Sequence, residues 1–147
     1  MTFIEIMFDF SCVFSFILRN IWYNERQRIC ANVCRKESSV MVILGIDPGT
    51  ATTGFGIIRV VGNSFKTVDY GVITTPPGIP MEQRLVMIYE QMNKIIDTWK
   101  PDQVAIEELY FNQNVTTGIT VGQARGVLLL SCAQKGLPVF EYTPLQV

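Results

Sequence analysis

The sequence predicts an α/β domain on a mixed five-stranded sheet, in the order βββαβαβ. Three observations predict it. Between Val42 and Ile73, three strand patterns follow one another through tight turns; Met81 to Lys100 carries apolar residues at helical spacing; and Gln103 to Tyr142 reads as strand, helix, strand.

The first strand is the apolar run Val42, Ile43, Leu44 and Ile46, of the kind buried in the middle of a covered sheet. Asp47-Pro48-Gly49-Thr50 then has turn chemistry, with Pro48 fixing φ and Gly49 free to take a positive φ. Gly54 to Val61 is the second strand, Gly62-Asn63 a turn, and Ser64 to Ile73 the third, which makes an antiparallel meander. The proline-rich stretch Thr75 to Pro80 breaks the chain before the first helix, where Leu85, Ile88, Met92, Ile95, Ile96 and Trp99 form a core stripe. Pro101-Asp102 stops that helix, and Gln103 to Ile106 is a short strand running into Glu107-Glu108. Reached through a helix, this strand should lie parallel to a strand of the meander. Leu109 to Thr117 reads as a polar-aromatic loop, Ile119 to Lys135 as the second helix capped by Gly136, and Pro138 to Tyr142 as the last strand. Gly122 and Gly126, one turn apart, would permit close approach of another element.

With 147 residues, 48% of them apolar and 17% charged, the chain can build one soluble core. A net charge of −1 offers no basic stripe for nucleic acid. The chain has no histidine and no CxxC pair, which argues against structural zinc, and its four cysteines read as free thiols in the cytosol. Three of them, Cys12, Cys30 and Cys34, lie in Met1 to Val40, a phenylalanine-rich stretch without glycine or proline. Its apolar run, Phe10 to Leu18, is about half of what a bilayer needs, and acidic Glu5 and Asp9 precede it. No membrane span is expected, although the basic residues that follow leave a membrane-surface role as a lesser reading. Met41 stands just before the first strand, so residues 1–40 are expected to be a poorly ordered extension or a translated upstream segment. Residues 41–147 are then the folded domain.

Asp47 and Glu107 each end an apolar strand at its carboxyl edge, where open α/β sheets place their ligands. If those strands are neighbours, the two carboxylates meet and repel, so one takes a proton or a divalent cation neutralises both. Oxygen ligands without His or Cys favour Mg²⁺ or Mn²⁺, which serve phosphodiester hydrolysis. Equally, Asp47 could bond only to its own turn, and Glu107 could be a solvated charge at a strand exit. Glu108 points the other way and reads as a surface residue or a backup ligand. Tyr110 and Phe111, set among amides, suit base stacking, although one ring could instead cover the sheet end. Arg125 could contact a phosphate, pair with a carboxylate or sit in a subunit interface.

Met41 to Val147 closely resembles the amino-terminal two thirds of the bacterial RuvC Holliday-junction resolvases. The resemblance rests on Leu44-Gly45-Ile46-Asp47-Pro48-Gly49, Ala105-Ile106-Glu107-Glu108, Gly122-Gln123-Ala124-Arg125-Gly126 and Pro138-Val139-Phe140-Glu141-Tyr142, in that order. It implies a ribonuclease H-like fold and a cytoplasmic homodimer that clasps a four-way DNA junction. It further implies Mg²⁺-dependent nicking in recombination and repair, with a branch-migration helicase of the RuvA and RuvB type as partner. Asp47 matches the family's first catalytic aspartate, Glu107 its catalytic glutamate, and Tyr110 the aromatic that stacks near the junction centre.

Members of the family complete the metal site with two further ligands on a final helix beyond the last strand, a helix this sequence does not contain. The expectation is a polypeptide that is catalytically dead or nearly so, with one apolar sheet face left exposed. Met41 to Val147 also holds seven Lys/Arg against nine Asp/Glu, so the family's basic DNA grip is not in this stretch. Other readings are a non-catalytic DNA-binding or dimerisation module, and a related resolvase group with a similar Asp-x-Gly start. An ATP-binding domain of the actin, Hsp70 and sugar-kinase type shares the strand-Asp-Gly-Thr opening, but its second phosphate loop and adenosine motif are not visible.

Overall fold

A computed structural model describes residues 40–108 and 115–142. Its elements follow the predicted order: β1 (Val40–Asp47), β2 (Thr52–Val61), β3 (Ser64–Thr74), α1 (Met81–Trp99), β4 (Gln103–Glu107), α2 (Val115–Gln134) and β5 (Val139–Tyr142). They form one five-stranded sheet in the order β3-β2-β1-β4-β5. β1, β2 and β3 pair antiparallel as a meander, whereas β4 runs parallel to β1 and β5 parallel to β4. β1 begins at Val40, which pairs with Val61, one residue before the expected boundary.

Both helices pack on one face of the sheet. Ile88, Met92 and Ile96 of α1 and Ala124, Leu128 and Cys132 of α2 join Leu44, Ile46, Ile57, Ile73, Val104 and Ile106 in one buried cluster. Leu85, Ile95 and Trp99 pack around it, so the stripe read from the sequence is core. Each fully buried side chain of this size contributes roughly 1.5–3 kcal/mol of transfer free energy. The opposite face carries Ile43, Ile58, Val60, Ala105 and Tyr142, with Met41, Phe65 and Phe140 around them. These five side chains are 0–8% exposed. The expected bare apolar face is therefore not found at these five positions.

The helix ends show where local chemistry and packing compete. α1 stops at Trp99, one residue before its expected end. Lys100 takes a left-handed conformation (φ 45°, ψ 60°) and donates its N–H to the Ile96 carbonyl at 2.8 Å, a conformation costing a non-glycine residue roughly 1–2 kcal/mol. α2 begins at Val115 rather than Ile119. The expected loop runs to Thr117, because Thr116 and Thr117 are weak helix formers. The far end of α2 matches expectation. Gly136 has φ 68°, and the N–H groups of Gly136 and Leu137 bond to the carbonyls of Ala133 and Cys132 at 3.0 and 3.1 Å, a Schellman closure. Gly126 has open space where a Cβ would stand, so nothing among the described residues uses it for close approach.

Candidate active site

Asp47 is the last residue of β1, and the turn behind it is braced at several points. The Thr53 hydroxyl donates to the Gly49 carbonyl at 2.6 Å. The Thr75 hydroxyl donates to the Thr50 carbonyl at 2.7 Å, and the Thr75 N–H to the Ala51 carbonyl at 3.0 Å. The Thr50 hydroxyl itself is buried without a hydrogen-bond partner. Gly49 serves a different purpose from the one its sequence suggests. It does not take a positive φ; instead a Cβ there would lie 2.2 Å from the Thr52 carbonyl oxygen, so the turn closes only around a residue without a side chain. Arg84 of α1 donates from Nε and Nη2 to the Pro76 carbonyl at 3.2 and 3.0 Å, which holds the stretch leading away from this turn.

Glu107 arrives beside Asp47 through register. Leu44 pairs with Val104, Gly45 with Ala105 and Ile46 with Ile106, so the next residue on each strand is a carboxylate. Strand alternation puts both side chains on the face opposite the helices, with Ile43 and Ala105. The pair is also flanked unequally. Gly54 pairs with Asp47 on the β2 side, and Tyr142 pairs with Glu107 on the β5 side.

The electrostatics follow from this crowding. Glu107 is pushed up to about 7, first by burial, then by the charge of Asp47 and by a hydrogen bond between the two side chains. Near neutral pH Glu107 is thus partly protonated beside Asp47, and a divalent cation would compete with that proton. Among the described residues no third His, Cys, Asp or Glu joins them. The donor set is two oxygen ligands, which fits part of a hard divalent-cation site.

The structure thus brings Asp47 and Glu107 together as the sequence suggests; Tyr110 and Phe111 lie outside the described residues. Glu108 donates its N–H to the Tyr142 carbonyl at 2.8 Å, extending the β4–β5 ladder by one bond. Arg125 pairs with a carboxylate, that of Glu141, and its Nε donates to the Glu107 carbonyl at 3.2 Å. Sequence reading left its partner open. A usable signal was present: alternation along β5 puts Glu141 on the same face as Val139, the face α2 covers. Cys132 is a free, buried thiol pushed up to about 11 by burial, and it belongs to the core. The other three cysteines lie outside the described residues. Among the described residues no helix is long and apolar enough to cross a membrane.

Comparison with known proteins agrees with this arrangement. Residues 43–147 match the family model of crossover junction endodeoxyribonuclease RuvC. RuvC of Pelotomaculum thermopropionicum is 54% identical over 107 residues, covering 73% of this chain and 65% of that protein. RuvC of Desulfitobacterium hafniense is 57% identical with the same coverage. The chain thus spans a little under two thirds of the length of these relatives. Among solved structures, Thermus thermophilus RuvC in complex with a Holliday junction substrate superposes with a TM-score of 0.66 at 30% identity. That match covers 71% of this chain and 66% of the other. The yeast mitochondrial Holliday junction resolvase Ydc2 shares the fold, with a TM-score of 0.55 at 12% identity over 78% of this chain and 57% of its own. A five-stranded sheet of this order, two carboxylates at the ends of its central parallel strands, and these matches lead to one assignment: the chain belongs to the RuvC family of crossover junction endodeoxyribonucleases.

Proposed function

We propose that this chain supplies the carboxylate half of a structure-selective DNA endonuclease acting on four-way junctions. The observation that carries this reading is the Asp47–Glu107 pair, set side by side at the carboxyl ends of β1 and β4, where burial and the Asp47 charge raise Glu107. Two such carboxylates would hold Mg²⁺, with Mn²⁺ as a substitute. When bound, the cation supplies charge neutralisation at a phosphodiester and activation of water. The residues of this chain do the rest of what it contributes: Asp47 and Glu107 present oxygen ligands from rigid strands, and the braced turn at Gly49 keeps Asp47 from swinging into solvent.

Tyr110 and Phe111 follow the glutamate directly in sequence and serve in this reading as the surface that stacks on exposed bases, each base typically worth about 1–3 kcal/mol. Family resemblance supports a homodimer, a cytoplasmic location and a branch-migration helicase of the RuvA and RuvB type as partner. The alternative is a non-catalytic junction-binding module, favoured by the finding that only two carboxylates converge among the described residues.

A synthetic four-way junction with Mg²⁺ separates these readings, using this chain and a version extended by the remaining third of its relatives' length. Cleavage by the extended chain, abolished by Asp47→Asn or Glu107→Gln, supports the nuclease reading. Junction binding without cleavage by either form supports the module, and neither binding nor cleavage overturns both.

A further inference from the structure

Arg125 lies on α2, on the helical side of the sheet, and reaches the strand ends from behind. Its side chain is 17% exposed, whereas its ionic partner Glu141 is 46% exposed. A rim ion pair of this kind is worth little by itself. The other bond is more informative: Arg125 Nε donates to the main-chain carbonyl of Glu107, the residue whose carboxylate faces Asp47 across the sheet. The orientation of that carbonyl is the ψ angle of Glu107, so fixing it fixes how the chain leaves the Cα that also bears the carboxylate. On the next residue, the Glu108 N–H is held by the Tyr142 carbonyl. The peptide between Glu107 and Glu108 is therefore held from both sides, by α2 through its oxygen and by β5 through its nitrogen.

We propose that Arg125 is a positioning residue, which sets the Glu107 carboxylate by gripping the Glu107 carbonyl from the opposite face of the sheet. The proposal rests on reading Asp47 and Glu107 as a cation site. Glu141 orients the guanidinium but does not touch the site.

A purely structural tether between α2 and β5 predicts something different, and Mn²⁺ separates the two without any need for turnover. The full 147-residue chain is titrated with Mn²⁺, following paramagnetic broadening of the Asp47 and Glu107 signals, for Arg125→Met, Arg125→Lys and Glu141→Gln. Hydrogen exchange at the Glu108 amide and the thermal midpoint are followed in parallel. Lysine keeps the charge opposite Glu141 but lacks the fork that reaches both acceptors. Positioning predicts that Arg125→Met and Arg125→Lys each weaken Mn²⁺ binding about tenfold, the low end for residues that orient a metal ligand, and speed exchange at Glu108. Glu141→Gln should bind Mn²⁺ within about twofold of the parent. Parent-like affinity in Arg125→Lys, or equal losses in Glu141→Gln and Arg125→Met, overturns the proposal. Asp47→Asn is the control on the underlying reading. If it abolishes Mn²⁺ uptake while the Arg125 variants leave it unchanged, the cation site stands and the positioning role falls; if the parent takes up no Mn²⁺, both fall.

Discussion

Val42 and Asp102 exchange two hydrogen bonds where β4 begins: the Asp102 N–H donates to the Val42 carbonyl at 2.8 Å, and the Val42 N–H donates to Asp102 Oδ2 at 2.7 Å. The next residue on each strand, Ile43 and Gln103, opens the parallel ladder that ends at Ile46 and Ile106. A slip of one residue in this ladder would turn Glu107 to the helical face. Asp102 thus works as a register pin for a site at the other end of the strand. Asp102→Ala should lower stability by about 1.5 kcal/mol, the low end for losing a hydrogen bond to a charged group because this one is exposed. Urea denaturation measures this, and a loss below about 0.3 kcal/mol would remove the pin from the account.

The pH dependence of stability should carry the signature of Glu107. Its folded value is about 7 against an ordinary 4.5, so between these pH values the folded state holds a proton that the unfolded state has lost. Stability therefore falls as pH rises through that window and levels off above it. Glu107→Gln removes the buried charge. It should be more stable than the parent by on the order of 1–2 kcal/mol at pH 8, allowing for partial solvent screening, and should gain nothing at pH 4. Equal effects at both pH values would mean that Glu107 is not held near 7.

Cation binding should run the opposite way with pH. A divalent ion displaces the proton that Glu107 holds beside Asp47, so apparent Mn²⁺ affinity should rise by up to about tenfold per pH unit below 7 and flatten above it. Calorimetry at pH 5.5, 6.5 and 8 measures the trend. A flat profile would indicate that the proton and the cation do not compete for this pair.

Gly49→Ala tests the turn. The added Cβ would meet the Thr52 carbonyl oxygen at 2.2 Å, and that atom is main chain, so the turn itself has to move. A loss of about 2–3 kcal/mol is expected, in the range for overpacking at a constrained site, together with weaker Mn²⁺ binding as Asp47 shifts. Denaturation and metal titration of the same variant measure both.

The elements that could be read from the sequence are those whose signal is local. The run ending at Asp47 shows buried residues followed by turn chemistry, the α1 stripe repeats at helical spacing, and Gly136 marks a helix end without reference to the rest of the fold. That β4 runs parallel to a strand of the meander also followed from the sequence, since a strand reached through a helix returns parallel to the sheet, but that its partner is β1 did not. What escaped depends on relations between distant segments. The start of α2 is hidden by residues of weak helix propensity. The β2–β3 register shifts between Ile57 and Ile58, an irregularity no pattern announces. The Arg125 contact depends on how high α2 docks above the sheet, and the reason for Gly49 is a carbonyl three residues on rather than its own φ.

The unequal flanks of the carboxylate pair give the site a direction. On the β5 side, Tyr142 stands level with Glu107 as a wall, only 8% exposed. On the β2 side, Gly54 stands level with Asp47 and offers no side chain, and beyond it Val72 of the edge strand β3 is 37% exposed. The pair is therefore walled by a neighbouring side chain on the Glu107 side alone, whereas Gly54, though buried, leaves the Asp47 side without one.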